Sequence, residues 1–326
     1  GLGRMGRNHL RVMNEHTGFE VVAIVDPREE TQDMAPKGAT WFDGIEKFVK
    51  EGPPVEVIVC AAPTRSHFEV GQVLVQRKVP VLMEKPLAAS FQDAQKLAGL
   101  FKEAKIPLFV GHVERSNPAV RKLRDVIESG VIGTPIHYSA TRVGGFPSDR
   151  SGTNVLLDLA VHDLDVISLL AGPLKLRSSI CHNTFDQDSH DTAQLLLTND
   201  TGASAAIHVN WITPTKIRTL RVTGSRGVAR VDYILQSCQV VGGSLIERKP
   251  RLEFNFKDVQ ADYLNTDKIE FGVTKREPLM VQADELYNFL SVGECRLCTP
   301  EEGARMVNLA EMAIAIGQGG ISADVR

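Results

Sequence analysis

A glycine pattern at the start of the sequence restricts the fold more than any other feature. Residues 1–6 read GLGRMG, a G-x-G-x-x-G spacing, and a segment with helical periodicity follows. The strand-like segment FEVVAIVDP then ends near Asp26, twenty residues after Gly6. A glycine turn that opens a helix, with an acidic residue at this distance, is the fingerprint of a dinucleotide-binding βαβ unit. We therefore predict a Rossmann-type, doubly wound parallel sheet, and we expect its first strand to precede Gly1.

The next hundred residues alternate between strand and helix patterns. Apolar strand patterns occur at 39–42, 55–63, 79–84 and 106–112, with helical segments between them. Ser90, followed by Asp93 at the third helical position, is a variant of the capping box. This alternation is typical of a parallel sheet covered by helices.

After residue 135 the pattern changes, because strand patterns follow one another without helices between them. Hairpin-like turns occur at 198–202 and 224–227, and two helical segments near 278–291 and 301–316 close the chain. We therefore predict an α/β protein with a second, mostly antiparallel sheet. The predicted domains are a dinucleotide-binding Rossmann domain over 1–116 and a substrate-binding and oligomerisation domain over 117–326.

Composition excludes several classes of protein. The formal net charge of the 326 residues is -3, which argues against a broadly basic surface that coats nucleic acid. Five scattered cysteines fit reduced thiols, and the lone C-x-x-C of Cys295 and Cys298 lacks the second pair that a zinc ribbon needs. No apolar run approaches the roughly 18–20 residues that span a bilayer. We expect a cytoplasmic protein without a metal, nucleic-acid or membrane partner.

Six stretches together resemble the Gfo/Idh/MocA oxidoreductases, and the resemblance covers nearly the whole chain. They are GLGRMG, Asp26, AAPTRSH (61–67), EKP (84–86), GHVERSNP (111–118) and DLAVH (158–162). The resemblance implies a Rossmann domain followed by a domain with a large open sheet. It also implies NAD(P)-dependent oxidation or reduction of a sugar or cyclitol, usually by a homo-oligomer such as a dimer or tetramer.

The resemblance further implies which residues line the cofactor site. They are Gly1, Gly3, Arg4, Met5, Gly6, Asp26, Arg28, Ala62, Pro63, Thr64, His67, Glu84 and Lys85. Asp26 has the oxygens to accept hydrogen bonds from both adenosine-ribose hydroxyls and would repel a 2′-phosphate, which favours NAD. Arg28 leaves NADP open, since arginine accommodates that phosphate. For His67, the alternative is an ordinary residue at a helix start.

The apolar run 156–167 contains the predicted catalytic histidine. On a helix, Asp158, His162 and Asp165 fall on one stripe, and the rest of the helix is apolar enough to be buried. We predict that His162 is the general base, that Asp158 orients its imidazole, and that Asp163 points elsewhere. The family pattern adds Lys85, whose ammonium would stabilise developing alkoxide. The alternatives are a packed core histidine and a surface ion pair at Glu84 and Lys85.

Segments such as VGHVERSNPAV and DLAVHDLDV are most similar to the UDP-N-acetylglucosamine 3-dehydrogenase branch of the family. The predicted reaction is hydride transfer from C3 of such a nucleotide sugar, in which Lys85, Asp158 and His162 contact the substrate. Arg115, Arg142 and Arg150 are candidates for contacting its phosphates, with internal ion pairs as the alternative. A free cyclitol such as inositol is the second substrate class, and a scarcity of available arginines would favour it. A non-catalytic nucleotide sensor is the third hypothesis.

Overall fold

The chain folds into two compact units. The computed structural model describes residues 1–146, 154–185, 189–242 and 268–318. Unit 1 comprises Gly1–Ser116 and Arg276–Glu311, and unit 2 comprises Asn117–Lys275 and Met312–Arg326. The break after Ser116 lies where the sequence placed it. The predicted single domain over 117–326 differs from the structure, because Arg276–Glu311 packs with unit 1.

Helices and strands alternate through the first part of the chain, as the sequence predicts. The described helices are α1 (Arg4–Glu15), α2 (Ile45–Glu51), α3 (His67–Leu74), α4 (Phe91–Glu103), α5 (Pro118–Glu128), α6 (Val161–Ala171), α7 (Pro278–Val292) and α8 (Pro300–Gln318). The described strands are β1 (Ala23–Val25), β2 (Thr40–Phe42), β3 (Ile58–Cys60), β4 (Val81–Glu84), β5 (Leu108–Gly111), β6 (Pro135–Val143), β7 (Leu174–His182), β8 (Thr192–Asn199), β9 (Ser204–Asn210), β10 (Ile217–Gly224), β11 (Val228–Asp232), β12 (Ser237–Val241) and β13 (Lys268–Phe271). No helix in these ranges is long and apolar enough to cross a membrane.

The paired strands of unit 1 all run parallel. Strand β1 pairs with β2, and β3, β4 and β5 form a second parallel group in that order. Every residue of β4 and β5 is buried, which explains why the sequence shows them as continuous apolar runs. The carboxyl ends of these strands carry the polar residues of the predicted site.

The return of the C-terminal segment to unit 1 has a hydrophobic cause. Leu279, Ala283 and Leu286 of α7 are buried in one cluster with Val12 of α1 and Phe109 of β5. Burial of a leucine-sized side chain is worth about 1.5–3 kcal/mol, so a helix with such a face gains by covering α1. Helical periodicity predicts that α7 has an apolar face, but it does not reveal which partner covers it.

Unit 2 is built on an eight-stranded sheet in the order β13-β12-β11-β10-β6-β9-β8-β7. All neighbours pair antiparallel except β6 and β9, which run parallel. Helix α5 packs against β11 and β12, and α6 packs against β6, β7 and β9. The predicted mostly antiparallel open sheet is confirmed, although β7, β12 and β13 were not recognised as strands.

Most apolar side chains of β9 and β10 lie on one face of this sheet. Ile207, Val209 and Leu220, for example, are buried. The alternate positions of β9 are Ser204, Ala206, His208 and Asn210. Because side chains alternate along a strand, Leu220 and Val222 of β10 lie on the buried face, whereas Ile217 lies on the other face and is 41% exposed.

Local signals for helix starts and turns are confirmed. The Ser90 hydroxyl accepts a hydrogen bond from the Asp93 amide at 3.1 Å, and Asn117 caps α5 by accepting one from Ala119 at 3.1 Å. In the first hairpin turn, Gly202 has a φ of 87°, a left-handed conformation that favours glycine. These short-range interactions depend on sequence neighbours, which is why the sequence shows them.

Candidate active site

The glycine turn before α1 has the close packing that a nucleotide-binding turn requires. A Cβ on Gly6 would lie 1.8 Å from the Gly1 carbonyl oxygen, and one on Gly1 would lie 2.8 Å from the Ala61 carbonyl oxygen. At Gly3 a Cβ would meet nothing within 4 Å. Gly3 is the N-cap of α1 and supplies no side-chain cap. The turn thus combines open space with amides at the positive end of a helix, which fits a pyrophosphate.

Asp26 follows β1 and contacts this turn directly. Its Oδ2 accepts a hydrogen bond from the Leu2 amide at 2.6 Å. The Arg28 guanidinium donates to both carboxylate oxygens at 2.9 Å, and the Arg28 amide donates to Oδ1 at 3.0 Å. Burial opposes ionisation, but these hydrogen bonds hold the pKa of Asp26 below its usual range. The carboxylate is therefore ionised and connects the glycine turn to Arg28.

The remaining cofactor-site candidates of unit 1 lie at the ends of α1 and β3. Arg4 is exposed and Met5 half-buried in the first turn of α1. Ala62, Pro63 and Thr64 follow β3, where Pro63 precedes a short 3-10 turn over Thr64–Ser66.

His67 begins α3 and is fully buried. Its Nδ1 lies 3.0 Å from the Pro86 carbonyl oxygen, and its Nε2 lies 2.9 Å from the Ala62 carbonyl oxygen. Burial lowers the pKa of this imidazole, although the carbonyl oxygens favour its protonation. His67 thus ties the segment after β3 to the segment after β4. The predicted contact of His67 with the cofactor stays a prediction, since both ring nitrogens face backbone oxygens.

The segment EKP follows β4, as predicted, with Glu84 buried and Lys85 half-buried. Glu84 Oε1 lies 2.7 Å from His9 Nε2, and Glu84 Oε2 accepts a hydrogen bond from the Lys85 amide at 3.1 Å. Burial by itself would raise the pKa of Glu84, but the His9 contact and the nearby Lys85 charge lower it. Glu84 is therefore a buried, ionised group rather than part of a surface ion pair.

The predicted catalytic stripe of unit 2 lies on an irregular helix. Residues Leu156–Ala160 form a π-helical turn, and α6 continues from Val161. The Asn154 side chain caps this turn by accepting hydrogen bonds from the Leu156 and Leu157 amides, each at 3.0 Å. Single π turns are frequent at functional sites because they change the direction of nearby side chains.

Asp158 and His162 are half-buried on this helix, whereas Asp165 is fully buried. Asp158 Oδ2 accepts a hydrogen bond from the Trp211 indole nitrogen at 3.3 Å. Trp211 is itself buried, and its ring lies 6.4 Å from that of Phe146. The indole therefore fixes one oxygen of the carboxylate that we predict to orient His162.

The arginines proposed to contact phosphate form internal ion pairs. Arg142 donates to both Asp163 oxygens, at 2.8 and 3.2 Å, and both side chains are 1% exposed. Arg115 pairs with Glu302 at 2.8 Å within unit 1, and this contact helps to lower the pKa of Glu302 against its burial. These are the ion pairs that the sequence left open as the alternative. Arg150 lies outside the described residues.

Three polar residues of these sites were not predicted: His9, Asn154 and Trp211. His9 stands three positions after Gly6, but helical periodicity alone does not show that its ring meets Glu84. Asn154 precedes an apolar helix and could have been identified as a cap. None of the five cysteines, including Cys295 and Cys298, forms a disulfide with another described residue.

A glycine turn that opens a helix, an acidic residue after the next strand and parallel strands are the features of a dinucleotide-binding protein. The NAD-binding Rossmann-fold model of the GFO/IDH/MocA oxidoreductases matches residues 1–112, and the C-terminal domain model of the family matches residues 120–230. The chain belongs to the GFO/IDH/MocA family. It is an NAD(P)-dependent oxidoreductase that acts on CH–OH groups.

Relatives of this chain are dehydrogenases of sugars, cyclitols and nucleotide sugars. UDP-N-acetylglucosamine 3-dehydrogenase of Acidithiobacillus ferrooxidans is 24% identical over 95% of this chain and 93% of its own length. The NAD-dependent scyllo-inositol 2-dehydrogenase of Bacillus subtilis is 26% identical, with 66% of each chain covered.

Solved structures share the fold over nearly the full length. The crystallised A. ferrooxidans enzyme, GnnA, has a TM-score of 0.81 at 22% identity, with 98% of this chain and 96% of that chain covered. The WlbA dehydrogenase of Bordetella pertussis, in complex with NADH and UDP-GlcNAcA, has a TM-score of 0.78 at 21% identity. That match covers 98% of this chain and 94% of WlbA.

Proposed function

We propose that this protein oxidises a secondary hydroxyl of a nucleotide sugar, at C3 of UDP-N-acetylglucosamine or a similar compound. The observation that carries the proposal is the nucleotide-binding turn of unit 1, to which the ionised Asp26 is hydrogen-bonded. Lys85, Asp158 and His162 are the residues to which we assign the chemistry. The similarity to UDP-N-acetylglucosamine 3-dehydrogenase along nearly the whole chain supports the choice of substrate.

The geometry of unit 1 supports the proposed cofactor contacts. The amides at the start of α1 hold the pyrophosphate, where the open space at Gly3 admits it. Asp26 is ionised and accepts hydrogen bonds from the adenosine ribose, for which Arg28 must release part of its present contact. Bound NAD supplies the hydride acceptor of the reaction.

The proposed proton chemistry belongs to three side chains. His162 takes the proton of the substrate hydroxyl as the hydride leaves its carbon. Asp158, fixed by the Trp211 indole, holds the imidazole and stabilises its protonated form. The Lys85 ammonium donates a hydrogen bond to the reacting oxygen and stabilises its developing negative charge.

A free cyclitol or sugar is a second candidate substrate, and one observation favours it. Arg115 and Arg142 are engaged with Glu302 and Asp163 and so do not present free charges for a diphosphate. The similarity to scyllo-inositol 2-dehydrogenase fits this alternative. A substrate without phosphates would need only hydroxyl-binding groups near the catalytic residues.

One assay distinguishes these functions. Reduction of NAD should be followed by absorbance with UDP-N-acetylglucosamine, free N-acetylglucosamine, UDP alone and a set of inositols. We expect the highest kcat/KM with the nucleotide sugar and no turnover with UDP. Preference for an inositol would replace the substrate assignment. NAD binding without turnover of any compound would support a nucleotide sensor instead.

We also propose that the chain forms a homodimer or homotetramer through the sheet of unit 2. Strands β7 and β8 carry Ile180 and Leu196 with 54% and 55% of their surfaces exposed, and cross-strand pairing places them on one face. Exposed apolar residues on a sheet face favour association. Light scattering should show an oligomer that Leu196→Lys weakens and that Val292→Lys, an exposed position in unit 1, does not.

A further inference from the structure

A buried histidine on α1 forms a polar pair with the carboxylate beside Lys85. The 2.7 Å contact joins His9 Nε2 to Glu84 Oε1, and the side chains are only 5% and 7% exposed. The second oxygen of Glu84 accepts the hydrogen bond of the Lys85 amide. A continuous set of polar contacts therefore runs from the helix that carries the glycine turn to the backbone of the proposed catalytic lysine.

The direction of the hydrogen bond follows from the charge of Glu84. An ionised carboxylate only accepts hydrogen bonds, so His9 Nε2 carries the proton and donates it. The lowered pKa of Glu84, which persists against the effect of burial, agrees with an ionised group that His9 stabilises. Truncation of His9 would leave a buried charge with one fewer partner, a change that is costly in a low-dielectric interior.

Two further observations describe how the pair is held. His9 Nδ1 is buried and has no hydrogen-bond partner among the residues that the structure describes, so the ring is held through the Nε2 contact with Glu84. On the other side, a Cβ on Gly111 would lie 3.1 Å from Glu84 Oε1. Glu84 is thus confined between β5 and His9, with little freedom to adopt another position.

We propose that His9 is a positioning residue for the reaction. It holds the Glu84 carboxylate, which fixes the Lys85 backbone in a constant position relative to the glycine turn on α1. The ammonium of Lys85 then keeps its distance from a nicotinamide whose pyrophosphate is held by the same helix. A displacement of a catalytic group by about 1 Å can lower the rate roughly 10²-fold, so loss of the His9–Glu84 contact should lower kcat. The proposal rests on the catalytic role of Lys85 proposed above.

The test compares His9→Leu with His9→Gln, whose side-chain amide retains a donor for Glu84. We expect His9→Leu to lower kcat about 10-fold to 100-fold, as loss of alignment does, with little change in NAD affinity. His9→Gln should recover most of that loss. His16→Leu is the matched control, because His16 Nε2 contacts Asp284 at 3.2 Å at the other end of α1 without a link to Lys85. It should keep the wild-type kcat.

Two results would overturn the proposal. One is a folded His9→Leu enzyme with the kcat of the wild type while Lys85→Ala is inactive. The other is an equal loss of kcat in His9→Leu and His9→Gln that follows their loss of thermal stability. If Lys85→Ala itself turns over normally, the proposed catalytic role of Lys85 is wrong. This result distinguishes a failure of the proposed function from a failure of the positioning role of His9. Should His9→Leu not fold, Glu84→Gln replaces it, with a lower kcat expected and an unchanged kcat contradicting the proposal.

Discussion

Two buried carboxylates, Glu84 in unit 1 and Asp163 in unit 2, are stabilised in different ways. Asp163 is matched by the Arg142 guanidinium, and both side chains are closed to solvent. Glu84 has a histidine and a backbone amide as partners, at the end of a strand and next to the half-buried Lys85. The first charge is neutralised inside the fold. The second accepts a hydrogen bond from the backbone amide of Lys85, the residue that we propose to be catalytic.

This difference teaches how to interpret charged residues in apolar segments. Both carboxylates stand in runs whose periodicity predicts burial, and a buried charge needs a partner in either case. The partner decides the consequence. An arginine that completes a bidentate pair contributes to stability or specificity of folding. A buried carboxylate with a neighbouring lysine at the carboxyl end of a strand indicates a functional site, because ligands of open sheets bind at these strand ends.

The largest effect should come from His162 and Lys85, the residues that we propose to be catalytic. His162→Ala should lower kcat by roughly 10²–10⁴-fold, the usual share of a positioned acid–base group, and should barely change NAD affinity. Lys85→Ala should behave similarly in steady-state kinetics. If both side chains act on the same hydroxyl, the double variant loses less than the product of the single losses. A His162→Ala enzyme with near-normal turnover would return His162 to a packing role.

The next largest effect concerns the ion pair of unit 2. Arg142→Met leaves Asp163 buried without its cation and should lower the free energy of unfolding by about 3–5 kcal/mol in urea titrations. Adding Asp163→Leu should restore much of it, because an apolar pair of similar volume replaces the charges. Arg221→Met, at an exposed position of β10, is the control and should be nearly neutral. A stable Arg142→Met enzyme with a raised KM for a nucleotide sugar would instead indicate phosphate contact.

A smaller effect is expected on cofactor choice. Asp26→Ala removes an ionised hydrogen-bond acceptor and should weaken NAD binding about 10-fold or more, within the 1.5–3 kcal/mol of hydrogen bonds to charged groups. Arg28→Ala should leave NAD affinity within about threefold and weaken NADP more, because a guanidinium favours the 2′-phosphate. Fluorescence titration with both cofactors measures this, with exposed Glu29→Ala as the control. Tighter binding of NADP than NAD by the wild type would contradict the role of Asp26.

The smallest effect is on stability in acid. The pKa of Asp26 and that of Glu84 lie below their ordinary values of 3.8 and 4.5 in the folded chain. The folded state therefore binds fewer protons, and its extra stability is present above those values and is lost as the pH falls below them. Urea midpoints between pH 7 and pH 3 should show this loss, reduced in Asp26→Asn. A midpoint that does not depend on pH over that range would contradict the assigned charges.

Much of unit 1 could be predicted from the sequence because its signals are local. The glycine turn, the buried strands and the cap at Ser90 each depend on residues within one short segment. The EKP segment follows β4, as the sequence predicts. The π turn at Leu156–Ala160 in unit 2 was not predicted, because a helical hydrophobic pattern does not distinguish an α-helical turn from a π-helical turn.

The sequence by itself determined the family, the parallel character of the unit 1 strands and the mostly antiparallel character of the unit 2 sheet. It also supplied the residues to which we assign the proposed chemistry. Only the tertiary structure shows that Arg276–Glu311 packs with unit 1. It also shows that Arg142 forms an ion pair with Asp163 and that His9 contacts Glu84. The reason is physical. Periodicity and turn chemistry depend on neighbours along the chain, whereas the partner of a buried charge or an apolar face is chosen by packing between residues that are far apart in sequence.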